Sequence, residues 1–198
     1  MKYLLGGMAE ITVGQIMSRV SAKDNVYVPV DARPVKVVIP KAIAYGIIDM
    51  DCLGDAQLIK DVAENKITKV GDIVIKLSSP YESALVQEGQ EGLIVPSFCA
   101  IIRMLDEHAV DRKYLLGYLN SSYAQSILTA GVDTSAMAMI KINSLVNLEI
   151  PCPMMSEQQL AGNAYWASCM KRSALEKLMK QQHVISQGII SSTLKEVV

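Results

Sequence analysis

Pro151-Cys-Pro153-Met-Met-Ser156-Glu-Gln-Gln159-Leu160 is where the chain changes character, from short proline- and glycine-bounded segments to one long polar-faced helix. Ser156 with Gln159 three residues on has the spacing of a capping box, in which the hydroxyl accepts an orphan backbone N–H and the amide reaches back to the cap residue. Such a cap contributes about 1 kcal/mol. The spacing predicts a helix from Ser156 to Leu194, and at about 1.5 Å per residue such a helix outreaches a small domain.

Leu160, Ala164, Ala167, Met170, Ala174, Leu178, Gln181 and Ile185 recur at alternating threes and fours, which places them on one stripe with the average spacing of a coiled coil. The alanines allow close approach of a second helix along the first half, and Leu178 and Ile185 supply bulk further on. Covering Leu160, Leu178 and Ile185 would contribute about 1.5 to 3 kcal/mol each. Left bare, they form the kind of apolar strip that soluble monomers avoid. The expectation is a partner helix from a second copy; the competing arrangement folds the stripe back onto its own domain.

With 198 residues and 51% hydrophobic content, the chain can bury a real core. The opening Met1-Lys2-Tyr3-Leu4-Leu5 is too short an apolar run for a secretory signal, and no stretch reaches the roughly 18 apolar residues of a membrane span, so a cytoplasmic location is expected. Cys52, Cys99, Cys152 and Cys169 form no C-x-x-C pair and read as reduced core thiols. The formal net charge is −1. The last 43 residues carry five basic against three acidic groups, leaving 14 against 17, or −3, for residues 1–155. That balance argues against a free-standing, sequence-independent nucleic-acid binder, which relies on excess Lys and Arg.

Upstream, β-branched runs bounded by Pro or Gly predict strands at Val35–Ile39, Ala42–Tyr45 with Ile47-Ile48, Asp72–Leu77, and Leu93–Val95 continuing through Phe98 to Met104. From Asp111 the period changes. Leu115, Leu116, Leu119, Tyr123 and Ile127 share a helical face, with Asp111 as cap and Gly131 as terminator. Met139–Ile142 and Leu148–Ile150 then predict two short strands. The fold class is α+β: a mixed sheet followed by one long coiled-coil-type helix.

Enzymatic constellations are missing. His108 and His183 have neither a nucleophile nor metal-ligand spacing, and there is no G-x-S-x-G elbow, Walker loop or G-x-G-x-x-G. Asn120-Ser-Ser-Tyr123 lacks the prolines of the amino-methyltransferase N-P-P-Y and falls inside the expected helix. One turn suits binding. The strand from Gly71 ends in Lys76-Leu-Ser78-Ser79-Pro80-Tyr81, where an ammonium and hydroxyls can hold phosphate oxygens and a ring can pack on sugar or base. Chemistry alone favours an ordinary Ser-Pro turn. A second candidate is Gly131-Val-Asp-Thr134-Ser135-Ala136 leading to Lys141, which also reads as a plain helix-to-strand connection.

Taken in order, these segments resemble the DNA-specificity subunit of type I restriction-modification systems, or one half of it. Ile11-Thr-Val-Gly-Gln-Ile16 is similar to the family's opening segment, Gly71-Asp72-Ile-Val-Ile75 to its G-D-I-hydrophobic strand, and Tyr114-Leu-Leu-Gly-Tyr-Leu-Asn-Ser-Ser-Tyr123 to its Y-L-x-x-x-L-x-S helix. Ile142-Asn-Ser-Leu-Val-Asn-Leu-Glu-Ile-Pro151-Cys-Pro153 with Ser156-Glu157-Gln158-Gln159 is similar to its strand, I-P-x-P and E-Q run into the long helix.

The resemblance implies a target-recognition domain over residues 1–153 and a spacer and dimerisation helix over residues 154–198. It implies a homodimer reading a symmetric double-stranded DNA site through Lys76, Ser78, Ser79, Tyr81, Thr134, Ser135 and Lys141. It also implies that catalysis, S-adenosylmethionine binding and cleavage belong to partner methyltransferase and restriction subunits, so that this chain is not an enzyme and carries no cofactor or metal. The alternative is a DNA-independent interaction or decoy protein of the same fold that binds those subunits.

Overall fold

The computed structural model describes residues 1–22, 29–106, 109–130 and 139–195, with side chains to residue 192. Its elements run β1 (Lys2–Leu4), α1 (Leu5–Met8), β2 (Ala9–Val13), β3 (Arg33–Val37), β4 (Ile43–Ala44), β5 (Ile47–Ile48), β6 (Gly54–Leu58), β7 (Ile73–Lys76), β8 (Ser83–Leu85) and β9 (Cys99–Met104). There follow α2 (Arg112–Leu119), α3 (Ser122–Thr129), α4 (Ile142–Val146), β10 (Glu149–Pro151) and α5 (Met155–Lys195). The class is α+β, with antiparallel ladders linked by parallel bridges such as Gln15 to Pro96 and Val37 to Ile94.

A four-stranded sheet in the order β2-β9-β7-β8 is the centre of the head. β7, β8 and the first four residues of β9 are buried on both faces, so they read as continuous apolar runs rather than alternating ones, whereas β2 at the edge is half open to solvent. Ile73, Ile75, Ala100 and Ile102 face Leu115, Leu116 and Leu119 of α2. Val74, Cys99 and Ile101 face Val38, Ile43 and Ile48 on the other side. A buried ion pair closes the start of β7: Arg103 Nε and Nη2 donate to the Asp72 carboxylate at 2.8 and 2.6 Å, and Nη2 also donates to the Ile67 carbonyl. The Asp72 carboxylate holds the Arg103 guanidinium above its ordinary pKa, against the opposing effect of burial.

The helix expected from Asp111 to Gly131 is two helices. Asp111 does cap the first, accepting from Tyr114 N at 2.8 Å. The break comes at Asn120, whose amide bonds both the N–H and the carbonyl of Ser83 at 2.8 and 3.0 Å, satisfying the backbone of β8 in place of another strand. Ser121 then caps α3, accepting from Ala124 N. The second helix points Ala124 and Leu128 inward and leaves Tyr123 and Ile127 outside, so the single expected face does not continue across the break. Gly131, the expected terminator, lies outside the described residues.

The strand expected at Met139–Ile142 is also corrected. Met139 makes only a bridge to Ser78, and the chain turns at once into α4, burying Leu145. The last expected strand is present as β10. It pairs with β1 in the register Lys2 to Pro151 through Leu4 to Glu149, tying the chain's start to the entry of the long helix.

That helix starts one residue before Ser156, and its cap is different from the expected box. Glu157 accepts from Met154 N at 3.0 Å, while Ser156 is exposed. Gln158 is 3% exposed, accepting from Asp111 N at 3.0 Å and donating to the Pro153 carbonyl at 2.9 Å. At Gly162, α5 crosses the start of α2 so closely that a Cβ would sit 2.5 Å from Asp111 Oδ1 and 2.6 Å from Tyr114 N. Further along, Tyr165 and Trp166 pack on the core, Cys169 is buried, Arg172 lies 4.6 Å over the Tyr45 ring, and Lys180 reaches Asp49 at 3.6 Å.

At 100° per residue, the stripe that packs on the head (158, 162, 165, 169, 176) lies about half a turn from the expected seam. The seam is therefore not folded back on its own domain. Leu160, Leu178 and Ile185 are 76%, 60% and 61% exposed, and Ala164, Ala167, Met170, Ala174 and Gln181 are exposed with them. With 41 residues, α5 spans about 60 Å. No described helix is long and apolar enough to cross a membrane.

Candidate nucleic-acid interface

The turn that follows β7 and the described residues Met139–Lys141 come together at one end of the central sheet. Leu77 N donates to the Phe98 carbonyl at 2.9 Å, and Ile140 N donates to the Leu77 carbonyl at 2.7 Å. Three segments distant in sequence thus lie side by side just beyond the end of β7 and the start of β9. The turn that follows closes with Tyr81 N donating to Ser78 O at 2.9 Å, and its Ser79–Pro80 peptide is cis. Ser79 is exposed, Ser78 is half-buried, and the Tyr81 ring packs partly on the core. Lys141 is exposed immediately before α4. Thr134 and Ser135 lie outside the described residues.

Lys76 is placed differently from its expected role. It is 6% exposed, and its ammonium lies 2.7 Å from Glu82 Oε2. A lysine on a central strand has no route to solvent at that depth, and burying its charge requires a partner. Glu82, on the far side of the turn, is that partner. Lys76 is thus a structural cation that holds the turn closed, and it is not available to a phosphate. The neighbouring Cys99 thiol is pushed up to about 12 by burial, with the Lys76 charge acting in the opposite direction.

The residue that sequence reasoning missed here is Phe98. It is 52% exposed at the same sheet end, where the sequence placed it inside a continuous strand. The β-branched run around it hid the turn, and the flanking Pro96-Ser97 was the signal for it.

A second concavity, of about 860 Å³, lies between the head and the start of α5, lined among others by Val70, Leu85, Val110, Met155, Gln159 and Trp166. Its walls are divided about evenly between apolar side chains and amides or charged groups such as Gln87, Glu88 and Lys113. Among the described residues no group of three or more His, Cys, Asp or Glu side chains is placed to hold a metal ion.

No protein-family model matches the chain, and no curated protein matches it. Solved structures do. One chain from a structure on complex assembly and conformational transition of the type I R-M system aligns over 100% of this chain and 49% of its own length, with TM-score 0.63 and 18% identity. The HsdS subunit from Thermoanaerobacter tengcongensis aligns over 91% of this chain and 45% of its own, with TM-score 0.60 and 18% identity. The type I restriction-modification S subunit from M. genitalium aligns over 91% and 41%, with TM-score 0.57 and 14% identity. The fold is therefore that of type I specificity subunits, and the chain spans about half the length of the structures it matches.

Proposed function

We propose that this chain is a non-enzymatic DNA-recognition subunit of a type I restriction-modification complex, directing partner methyltransferase and restriction subunits to their site. The head over residues 1–153 reads one half-site through Ser78, Ser79, Tyr81, Thr134, Ser135 and Lys141. The segment 154–198 pairs with the same segment of a second copy, setting two heads a fixed distance apart. The observation that carries this reading is the pairing, in one unit, of a sheet-end loop cluster with a long helix whose apolar stripe faces away from its own domain. The solved structures that share this fold, two of them named as type I S subunits, are about twice as long, and two copies joined along the seam would match that length.

The reading is tested by incubating the full chain, with and without a type I methyltransferase subunit, with a pool of randomised DNA duplexes. Enrichment of a symmetric, interrupted sequence supports it. Methyltransferase binding without any enrichment favours instead a DNA-independent interaction or decoy role. The specific observations behind that second reading are the net charge of −3 on residues 1–155 and the internal pairing of Lys76, which removes a cation from the sheet end.

A further inference from the structure

We propose that Phe98 reads sequence directly, laying its ring against the 5-methyl group of a thymine in the major groove; this rests on the DNA-reading assignment above. Phe98 is the chain's sole phenylalanine, and it stands half clear of the protein instead of in the core. The turn that carries it is held on every side. Cys99 N donates to the Pro96 carbonyl at 2.9 Å, Ser97 N to the Gln15 carbonyl at 2.8 Å, Gly14 N to the Cys99 carbonyl at 3.0 Å, and Leu77 N to the Phe98 carbonyl at 2.9 Å. A Cβ at Gly14 would collide with the backbone of Val95 and Pro96, so the two segments are in direct contact. An aromatic ring on a backbone fixed in this way has two side-chain torsions left to order, and it binds at low entropic cost.

The surroundings select the ligand chemistry. Val13 and Ile16, 37% and 39% exposed, lie on the segment that pairs with the turn through Val13 to Ala100 and Gln15 to Pro96. Beside the turn stand the exposed Ser79 and Lys141 and the half-buried Ser78, placed there by the Phe98–Leu77–Ile140 backbone bonds. Hydroxyls and an ammonium next to an apolar contact match the two components of a groove: phosphates that position and a thymine methyl that specifies. A wedge driven between base pairs needs the whole ring free. At half exposure the ring offers a face, which favours the methyl contact.

The test uses the full chain with a type I methyltransferase subunit and the duplex that the wild-type protein enriches from the randomised pool. Each thymine of that duplex is replaced in turn by deoxyuridine, which removes only the methyl group. We expect one position per half-site to weaken wild-type binding about fourfold, the equivalent of about 0.8 kcal/mol for one buried methyl-sized group. Phe98→Ala should bind the parent duplex more weakly and show no further loss at that position. Phe98→Leu, which keeps apolar bulk should the alanine variant lose its cooperative melt, should retain part of the effect. Equal tolerance of deoxyuridine at every position, or the same sensitivity in Phe98→Ala as in wild type, overturns the role of Phe98 and leaves the DNA reading standing. Failure of the wild-type protein to enrich any duplex overturns the DNA reading, and this inference with it.

Discussion

The Lys76 ammonium lies 2.7 Å from the Glu82 carboxylate across the turn that holds Ser78 to Tyr81, with the lysine side chain 8% and the glutamate side chain 26% exposed. Removing one partner leaves the other charge poorly solvated inside the head. Lys76→Ala should therefore lower stability by about 3 kcal/mol, the lower end of the range for a broken buried pair because Glu82 keeps some solvent. The double variant Lys76→Met, Glu82→Leu should recover most of that loss. Urea denaturation measures both, and a loss below about 1 kcal/mol in the single variant would show that the pair is not structural.

The sheet end follows from separate parts of the chain in unequal ways. The β7 run Ile73–Lys76 and the β9 run Cys99–Met104 were legible because buried strands leave continuous β-branched segments. So was the long helix, whose apolar stripe survives in the structure as an exposed seam. The break at Asn120 was not legible, because the cause is a pair of bonds to Ser83, 37 residues away, and local periodicity carries no trace of a distant backbone that needs satisfying. The β1–β10 pairing was missed for the same reason, since three residues at each end of the head cannot announce a contact between them. Lys76 shows the limit for sites: its residue type suggested a phosphate, and only the position of Glu82 decided otherwise.

The α2–α5 crossing gives a prediction in which local and tertiary effects have opposite signs. In an isolated helix, replacing glycine by alanine is favourable by about 1 kcal/mol. At position 162 the new methyl would sit 2.5 Å from Asp111 Oδ1 and 2.6 Å from Tyr114 N, in the cap of α2. Gly162→Ala should instead destabilise the protein by about 1 to 3 kcal/mol, as overpacking against a backbone that cannot yield does. A raised melting temperature would mean that the two helices are not held at this distance.

The seam gives a prediction for association. Leu178 and Ile185 are more than half exposed, and they sit on the side of α5 turned away from the head. Leu178→Asp together with Ile185→Asp should leave the fold of the head intact by circular dichroism and convert the proposed dimer to a monomer in sedimentation equilibrium. Persistence of the dimer would place the self-contact elsewhere, with the 860 Å³ concavity beside Trp166 as the next surface to test.

Alkaline pH should destabilise the head in a way that two substitutions can trace. Burial pushes the Cys99 thiol from about 9 up to about 12 and the Tyr165 hydroxyl from about 10 up to about 12, the bond from Asn120 acting against the latter. With folded pKa values raised, the native protein keeps protons that the unfolded chain loses, so the contribution is complete below about pH 9 and disappears as pH rises toward about 12. For Cys99 the slope is at most about 1.4 kcal/mol per pH unit. Denaturant midpoints followed through that range should fall less steeply in Cys99→Ala from the start and in Tyr165→Phe at the higher end. The comparison of slopes separates these groups from the deprotonation of surface lysines, which all three proteins share. If the three curves run parallel, neither group is as deeply desolvated as the packing of β9 and α5 makes it.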